Sequence, residues 1–437
     1  MLFAMVGARE GVCRPRSHPT RSLFNRPVPL PMLVSPTCLI RIMLAAALTT
    51  STVMPDARAA EGDTLTLFAD SALRHESNLF RLPPGVSPKV TDEDDKSDDI
   101  AVTTLGVRLD KRYSLQRFGL EASLVDHRYR NFDYLNFTAR NYAAAWNWQI
   151  TPRFTGVLRS DRTESLNSFS DYTDSTERNI RTDTTHRFEG VFEVDGAWRL
   201  LGGLARTERI NSETFQEESD SRLDTVEAGV RRDAASGGSI SLLLRQGRGE
   251  YLHRNTLSST DQLDNAFEQQ EYELRSAWPL SAKTTLQGRL AHLSREHEHF
   301  SARDYAGPVG NLSLAWRATE KTLLTGTIAR DLVPFQSSDS SYAASQRVNF
   351  NGLWRISKKT SLRGLYEVSR RDFRGSISPD TADDRRDTLR RAELGIEWQA
   401  LRSLRLGASV TQEERASNRD DYDFTNTTGS VSARFTF

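Results

Sequence analysis

Arginine and carboxylate residues set two apart are the side chains of this chain best placed to do chemistry. Arg187, Glu189 and Glu193 share one parity; so do Glu271, Glu273 and Arg275, and Arg391, Glu393 and Glu397. A guanidinium is planar, always charged and able to grip a carboxylate through two parallel hydrogen bonds. Two uses follow. The groups can neutralise one another along a wall, or some guanidiniums can stay open to the carboxylate or hydroxyl groups of a passing molecule. Beyond residue 59 only seven of 51 basic residues are Lys, at 89, 96, 111, 283, 321, 358 and 359. That bias favours the bidentate partner, although a GC-rich genome would produce it too.

Other constellations are thinner. His297-Glu298-His299 places two imidazoles close together in an expected exterior loop, but a metal site needs a third ligand, and none is in view. His292 and Ser294 share a strand face without an evident Asn or Asp partner, so a hydrolytic triad is not expected. The acidic run from Thr91 to Asp99 reads as a solvated loop. No glycine motif for cradling phosphate is present. The expected catalytic, metal and cofactor sets are empty.

The elements that carry these residues are announced by period two. Gly429, Val431, Ala433, Phe435 and Phe437 fall on one face, with Ser430, Ser432, Arg434 and Thr436 on the other. Phe188, Gly190 and Phe192 alternate with Arg187, Glu189 and Glu193, and Leu394, Ile396 and Trp398 alternate with Glu393 and Glu397. Ahead of them, Arg41, the apolar run Ile42 to Leu48 and Ala57-Arg58-Ala59 form a secretory signal. Residues 1–59 are thus expected to be removed, with an over-early start, and 60–437 to form the mature domain. Both cysteines, Cys13 and Cys38, fall in the signal, which excludes disulfide and thiolate chemistry from the mature part. Removing the signal leaves 51 basic against 56 acidic residues, a net charge of −5. That sign argues against a nucleic-acid partner.

All seven tryptophans, at 146, 148, 198, 278, 316, 354 and 398, lie beside short turn-like segments. From Trp278 the spacing runs 38, 38 and 44 residues, then 39 to Phe437. One indole per pair of strands at the same end is the aromatic girdle of a bilayer-spanning barrel. A β-propeller repeats at a similar period, but no Gly-His or Trp-Asp blade signature accompanies it. The predicted fold is an all-β, antiparallel transmembrane outer-membrane β-barrel of about 18 strands, from 64–75 to 425–437, including 266–278, 321–331 and 342–356. Short turns alternate with long Asp/Ser/Asn/Arg-rich loops, which predicts periplasmic termini and an acidic exterior loop at 76–99. A barrel of this size leaves an aqueous channel. Its predicted lining comprises Glu121, Arg187, Glu189, Glu193, Glu227, Arg231, Arg245, Glu271, Glu273, Arg275, Arg289, Arg355, Arg363, Glu367, Arg391, Glu393, Glu397, Arg405 and Arg434. On these faces the lumen is of mixed sign, and arginine does not dominate it.

The segment His75-Glu76-Ser77-Asn78-Leu79-Phe80-Arg81-Leu82-Pro83, with the strand that precedes it, resembles the opening of the EpsL-type outer-membrane proteins of exosortase-associated (PEP-CTERM) exopolysaccharide loci. The likeness extends over the mature chain, with Asn78 to Pro83 its distinctive part. It implies a role in exopolysaccharide export across the outer membrane; the alternative is a general diffusion porin with loop 76–99 constricting the lumen. The family supplies no catalytic residues to transfer. Expected partners are outer-membrane lipid and lipopolysaccharide, the barrel assembly machinery acting through Phe437, and an exopolysaccharide with periplasmic export components.

Overall fold

A computed structural model describes residues 63–88, 95–171, 176–213, 219–253, 264–337, 340–375 and 385–437. The signal segment lies outside the described residues. Eighteen antiparallel strands run in chain order: β1 Asp63–Glu76, β2 Asp98–Tyr113, β3 Gln116–Tyr129, β4 Phe137–Thr151, β5 Phe154–Leu166, β6 Ile180–Glu193, β7 Trp198–Asn211, β8 Ser221–Asp233, β9 Ser239–Tyr251, β10 Ala266–Ser281, β11 Thr284–His297, β12 Tyr305–Trp316, β13 Thr322–Ser337, β14 Ser340–Trp354, β15 Thr360–Arg374, β16 Arg386–Gln399, β17 Leu404–Ser417 and β18 Phe424–Thr436. Each pairs with its neighbours in sequence, and β1 pairs with both β2 and β18, which closes the sheet. Closure matters because an unpaired edge exposes backbone polar groups that a bilayer cannot satisfy.

The closing seam uses the end of the chain. Asp70 faces Arg434 and Leu73 faces Val431 across β1 and β18, while Leu67 and Phe437 exchange backbone hydrogen bonds of 3.2 and 2.8 Å. Period two then sorts the side chains. Leu105, Leu242, Leu290 and Phe350 are 58 to 61% exposed on the outer face, an apolar band that needs an apolar medium. Trp146, Trp198, Trp316, Trp354 and Trp398 stand exposed at the short-turn end of this face, and Trp278 is partly covered. Trp148 instead lies flat over Gly156, stacked on Phe188 with the rings 5.8 Å apart. A Cβ at Gly156 would meet the indole at 2.2 Å and the Glu189 carbonyl oxygen at 2.1 Å. Only glycine admits the ring there.

The strands differ from the sequence expectation mainly in length. β10 continues to Ser281, and β13 and β14 run on to Ser337 and Ser340, where a long connection between 331 and 342 was expected. Ladder pairing persists from Thr322↔Trp354 to Pro334↔Tyr342 and resumes at Ser337↔Ser340. Backbone pairing between two strands of one hairpin needs no membrane-length limit, so the hairpin projects past its neighbours. His297 ends β11 rather than sitting in a loop.

Candidate functional site

The interior of the barrel has two layers. At mid-strand depth, β6 and β8 to β11 present a connected ionic network made largely of the arginines and glutamates picked out by parity. Arg187 meets Glu227 at 2.9 Å and Glu189 at 2.6 Å. Arg245 bridges Glu227 at 2.8 Å, Glu271 at 2.6 Å and Glu273 at 2.6 Å. Arg289 contacts both Glu271 and Glu273 at 2.5 Å, and Arg275 meets Glu273 at 2.8 Å. The Glu273 side chain is fully buried. Such a cluster is compensated because every buried carboxylate has more than one cation.

The other residues read from the sequence as lining are dispersed around the wall. Arg434 pairs with Asp70 at 2.6 Å, Arg363 with Glu397 at 3.3 Å, Arg391 with Glu393 at 2.9 Å, and Arg231 with Asp233 at 2.9 Å. Glu121 is held by Arg108 and Glu193 by Arg199. Glu367 accepts from Asn349 at 3.2 Å, and Arg405 donates to Gln399 at 3.2 Å. Arg355 stands one residue past the end of β14 at Trp354, its N–H still bonded to the Lys321 carbonyl at 2.8 Å.

The second layer lies toward the long-loop end and was not found from the sequence. After β1 the chain turns inward. Asn78 fixes the turn: its backbone N–H and amide group reach Asn426 Oδ1 at 2.9 Å and Thr425 O at 3.1 Å, and the amide also exchanges hydrogen bonds of 2.8 and 2.9 Å with Leu82. Phe80 is 1% exposed, set edge-on between Phe132 at 4.7 Å and Phe169 at 4.8 Å. Leu79, Leu82, Ile100, Tyr129 and Leu135 complete this cluster. Asp98 caps the opposing loop, accepting from the N–H groups of Arg130, Asn131 and Phe132 at 3.0, 2.9 and 3.1 Å. The described part of loop 76–99 is therefore anchored on the inner side of the barrel; residues 89–94 lie outside the described residues.

This turn carries Arg81, in the left-handed region at φ 58°, to the edge of a cavity of about 550 Å³. Arg81 bonds Glu76 at 2.7 Å and Glu413 at 3.2 Å. The same cavity is lined by Arg181, Arg209, Arg295, Arg371 and Arg415, with Asp183, Asp387 and Glu413 as its carboxylates. Asp183 is shared by Arg181 at 2.8 Å and Arg209 at 2.9 Å. Arg295 is held by the neutral Gln269 at 2.7 Å and stacks 4.3 Å over the Phe267 ring; among the described residues no carboxylate lies within ion-pair distance of it. The lining carries six guanidiniums against three carboxylates, with Glu76 a further carboxylate on Arg81, so this cavity is cation-rich within a lumen of both signs. The missed residues lie at or beyond strand ends, where parity is least secure, although Arg295 continues the inward parity of Arg289 and could have been reached that way.

The thinner motifs are dispersed. His297 Nδ1 turns to Asp304 at 3.3 Å and His299 Nδ1 to Asp264 at 3.3 Å, so the two imidazoles do not converge. His292 and Ser294 face outward, opposite Tyr272 and Gln270, and the Ser294 hydroxyl points to Glu296 at 3.5 Å. Among the described residues no group of three His, Cys, Asp or Glu is placed to hold a metal ion.

The sequence profile of the family described as "Putative beta-barrel porin 2" matches residues 248–437. No curated protein matches the chain. Among solved structures, Pseudomonas aeruginosa OccK2 (OpdF) is similar with a TM-score of 0.50 at 12% identity, over 86% of this chain and 98% of that one. The same protein in complex with glucuronate gives 0.50, 12%, 86% and 99%. A BenF-like porin from Pseudomonas fluorescens Pf-5 gives 0.47, 12%, 86% and 99%. The fold is that of OccK2: a closed, 18-stranded antiparallel barrel.

Proposed function

We propose that this protein is a porin-like channel of the outer membrane through which small anionic solutes diffuse. One observation carries the choice of solute: six guanidiniums and three carboxylates surround a cavity of about 550 Å³ inside the barrel. A cation-rich constriction between low-dielectric walls concentrates anions and excludes cations. Arginine suits carboxylates in particular, because its fork matches their geometry. The fold neighbour OccK2 has a structure with glucuronate, a carboxylated sugar, and solutes of that size and charge are the class proposed here. Short turns facing the periplasm and long loops facing outward would place the cavity at the exterior mouth, with both termini periplasmic.

Exopolysaccharide export, which the resemblance of Asn78 to Pro83 implied, is less well supported. The family profile that matches residues 248–437 is described as that of a porin. The distinctive segment, moreover, is built into the lumen with Phe80 buried between two aromatic rings, so a polymer would have to displace it. The deciding experiment reconstitutes the protein in planar bilayers under a KCl gradient, with glucuronate and uncharged glucose compared in liposome swelling. A reversal potential toward the chloride potential, and faster entry of glucuronate than glucose, are expected. Cation selectivity, or equal entry of the two sugars, would overturn the anion reading.

A further inference from the structure

The outer wall has one irregular seam. β12 and β13 share register only from Gly310↔Arg330 to Trp316↔Leu324, whereas β11 and β12 pair all the way from Thr284↔Trp316 to Arg295↔Tyr305. Past Gly310 the two strands part. Pro308 and Pro334 stand on either side, and neither can donate the N–H that would continue a ladder. Gly310 itself has φ 155°, and a Cβ there would meet the Arg289 carbonyl oxygen at 2.2 Å, so the wall carries no side chain at this point.

An outward-facing groove of about 760 Å³ lies across the seam. Register fixes its layers: Ile328, Val348 and Val368 form an apolar row, and Arg330, Gln346 and Arg370 the next row toward the long-loop end. Below them come Phe350 and Tyr366. No carboxylate lies within ion-pair distance of Arg330 among the described residues, and its buried Nε has no hydrogen-bond partner. Arg370 is 3.5 Å from Asp372, which also lies 3.9 Å from Arg386. An unpaired guanidinium on the membrane-facing side of a barrel is unfavourable unless an anion reaches it.

We infer that this groove binds lipopolysaccharide, one acyl chain lying over Ile328, Val348 and Val368 and a lipid A phosphate on Arg330 and Arg370. The inference rests on the outer-membrane reading above. Charge complementarity selects the occupant: an apolar field capped by cations on the side proposed to face the exterior matches an acylated phosphate of the outer leaflet. A zwitterionic phospholipid brings its own cationic nitrogen with its phosphate and so offers the two arginines no net negative charge.

The test uses the full mature chain, folded in detergent and examined by native mass spectrometry with three probes: bis-phosphorylated lipid A, its dephosphorylated form and phosphatidylglycerol. Wild type is expected to retain phosphorylated lipid A at least tenfold better than either other probe. Arg330→Gln with Arg370→Gln should abolish that preference while leaving binding of the dephosphorylated form unchanged. Val348→Trp, which fills the groove, should reduce binding of both lipid A forms. Equal retention of the dephosphorylated probe, equal retention of phosphatidylglycerol, or indifference to the double substitution would each overturn the assignment. Conductance and heat-modifiable migration, recorded on the same samples, separate this outcome from failure of the channel reading, since neither arginine lines the interior cavity.

Discussion

Replacing Glu273 by glutamine should destabilise the barrel more than any other single neutralisation of the wall. Its fully buried carboxylate receives Arg245 at 2.6 Å, Arg289 at 2.5 Å and Arg275 at 2.8 Å. Glu271 remains to hold Arg245 and Arg289, while Arg275, with its side chain 46% exposed, can turn to water. Breaking a buried pair from one side destabilises by about 3–5 kcal/mol; with Glu271 retained, the lower end of that range, about 3 kcal/mol, is expected. The contrasting variant is Glu397→Gln, whose partner Arg363 is 61% exposed; an exposed pair is worth about 1 kcal/mol at most. Equilibrium urea unfolding from lipid vesicles reports both, followed through the outward tryptophans. Arg245→Met combined with Glu273→Gln should show a coupling above about 1 kcal/mol, because the residues share a network. If Glu273→Gln lies within about 1 kcal/mol of Glu397→Gln, the network is not what compensates the buried carboxylates.

Three further outcomes are expected. Arg81→Gln removes a cation from the cavity rim and should shift the reversal potential toward non-selectivity; an unchanged potential would show that the cavity does not set selectivity. Phe80→Ala removes the ring that anchors the inward turn between Phe132 and Phe169, and single-channel conductance should rise as the turn detaches. A conductance equal to that of wild type would mean the turn does not constrict the pore. In the turn after β6, Asp195 accepts the N–H groups of Ala197 and Trp198, both at 2.8 Å, which hold its carboxyl below the ordinary range. A depressed folded value means the stabilisation is present above about pH 4 and lost as pH falls through the folded value. The gap in urea midpoint between wild type and Asp195→Asn should accordingly close on acidification, and a gap that widened would reverse the assigned sign.

How far the molecule was legible in its sequence depended on where a residue sits along a strand. Mid-strand residues obey period two, because one face meets an apolar medium and the other does not; Glu271, Glu273 and Arg289 could be assigned to one wall from that rule alone. At strand ends the rule weakens. β13 runs to Ser337 although Pro334 interrupts its pattern, and Arg355 fell one residue beyond the end of β14. Most of the cavity's lining belongs to this less legible zone, Arg295 excepted. Arg81 reaches it through an inward turn whose cause is the pairing of Asn78 with Asn426, 348 positions away, and no local pattern encodes such a contact.

The same arginine-rich composition thus has two physical consequences, set by what lies opposite. In the network of β6 and β8 to β11 each guanidinium faces glutamates, and the charge is cancelled within the wall. Around the cavity the compensating partners are fewer and partly neutral: Gln269 and the Phe267 ring hold Arg295 in place without removing its charge. A cation fixed by an amide and an aromatic face is oriented yet still uncompensated, so it can exchange water for a passing carboxylate with little rearrangement. Glu in place of Gln269 would make this position resemble the lower network. Gln269→Glu should therefore weaken anion preference while leaving the barrel as stable as before, and retention of full preference would show that Arg295 does not act on the permeating ion.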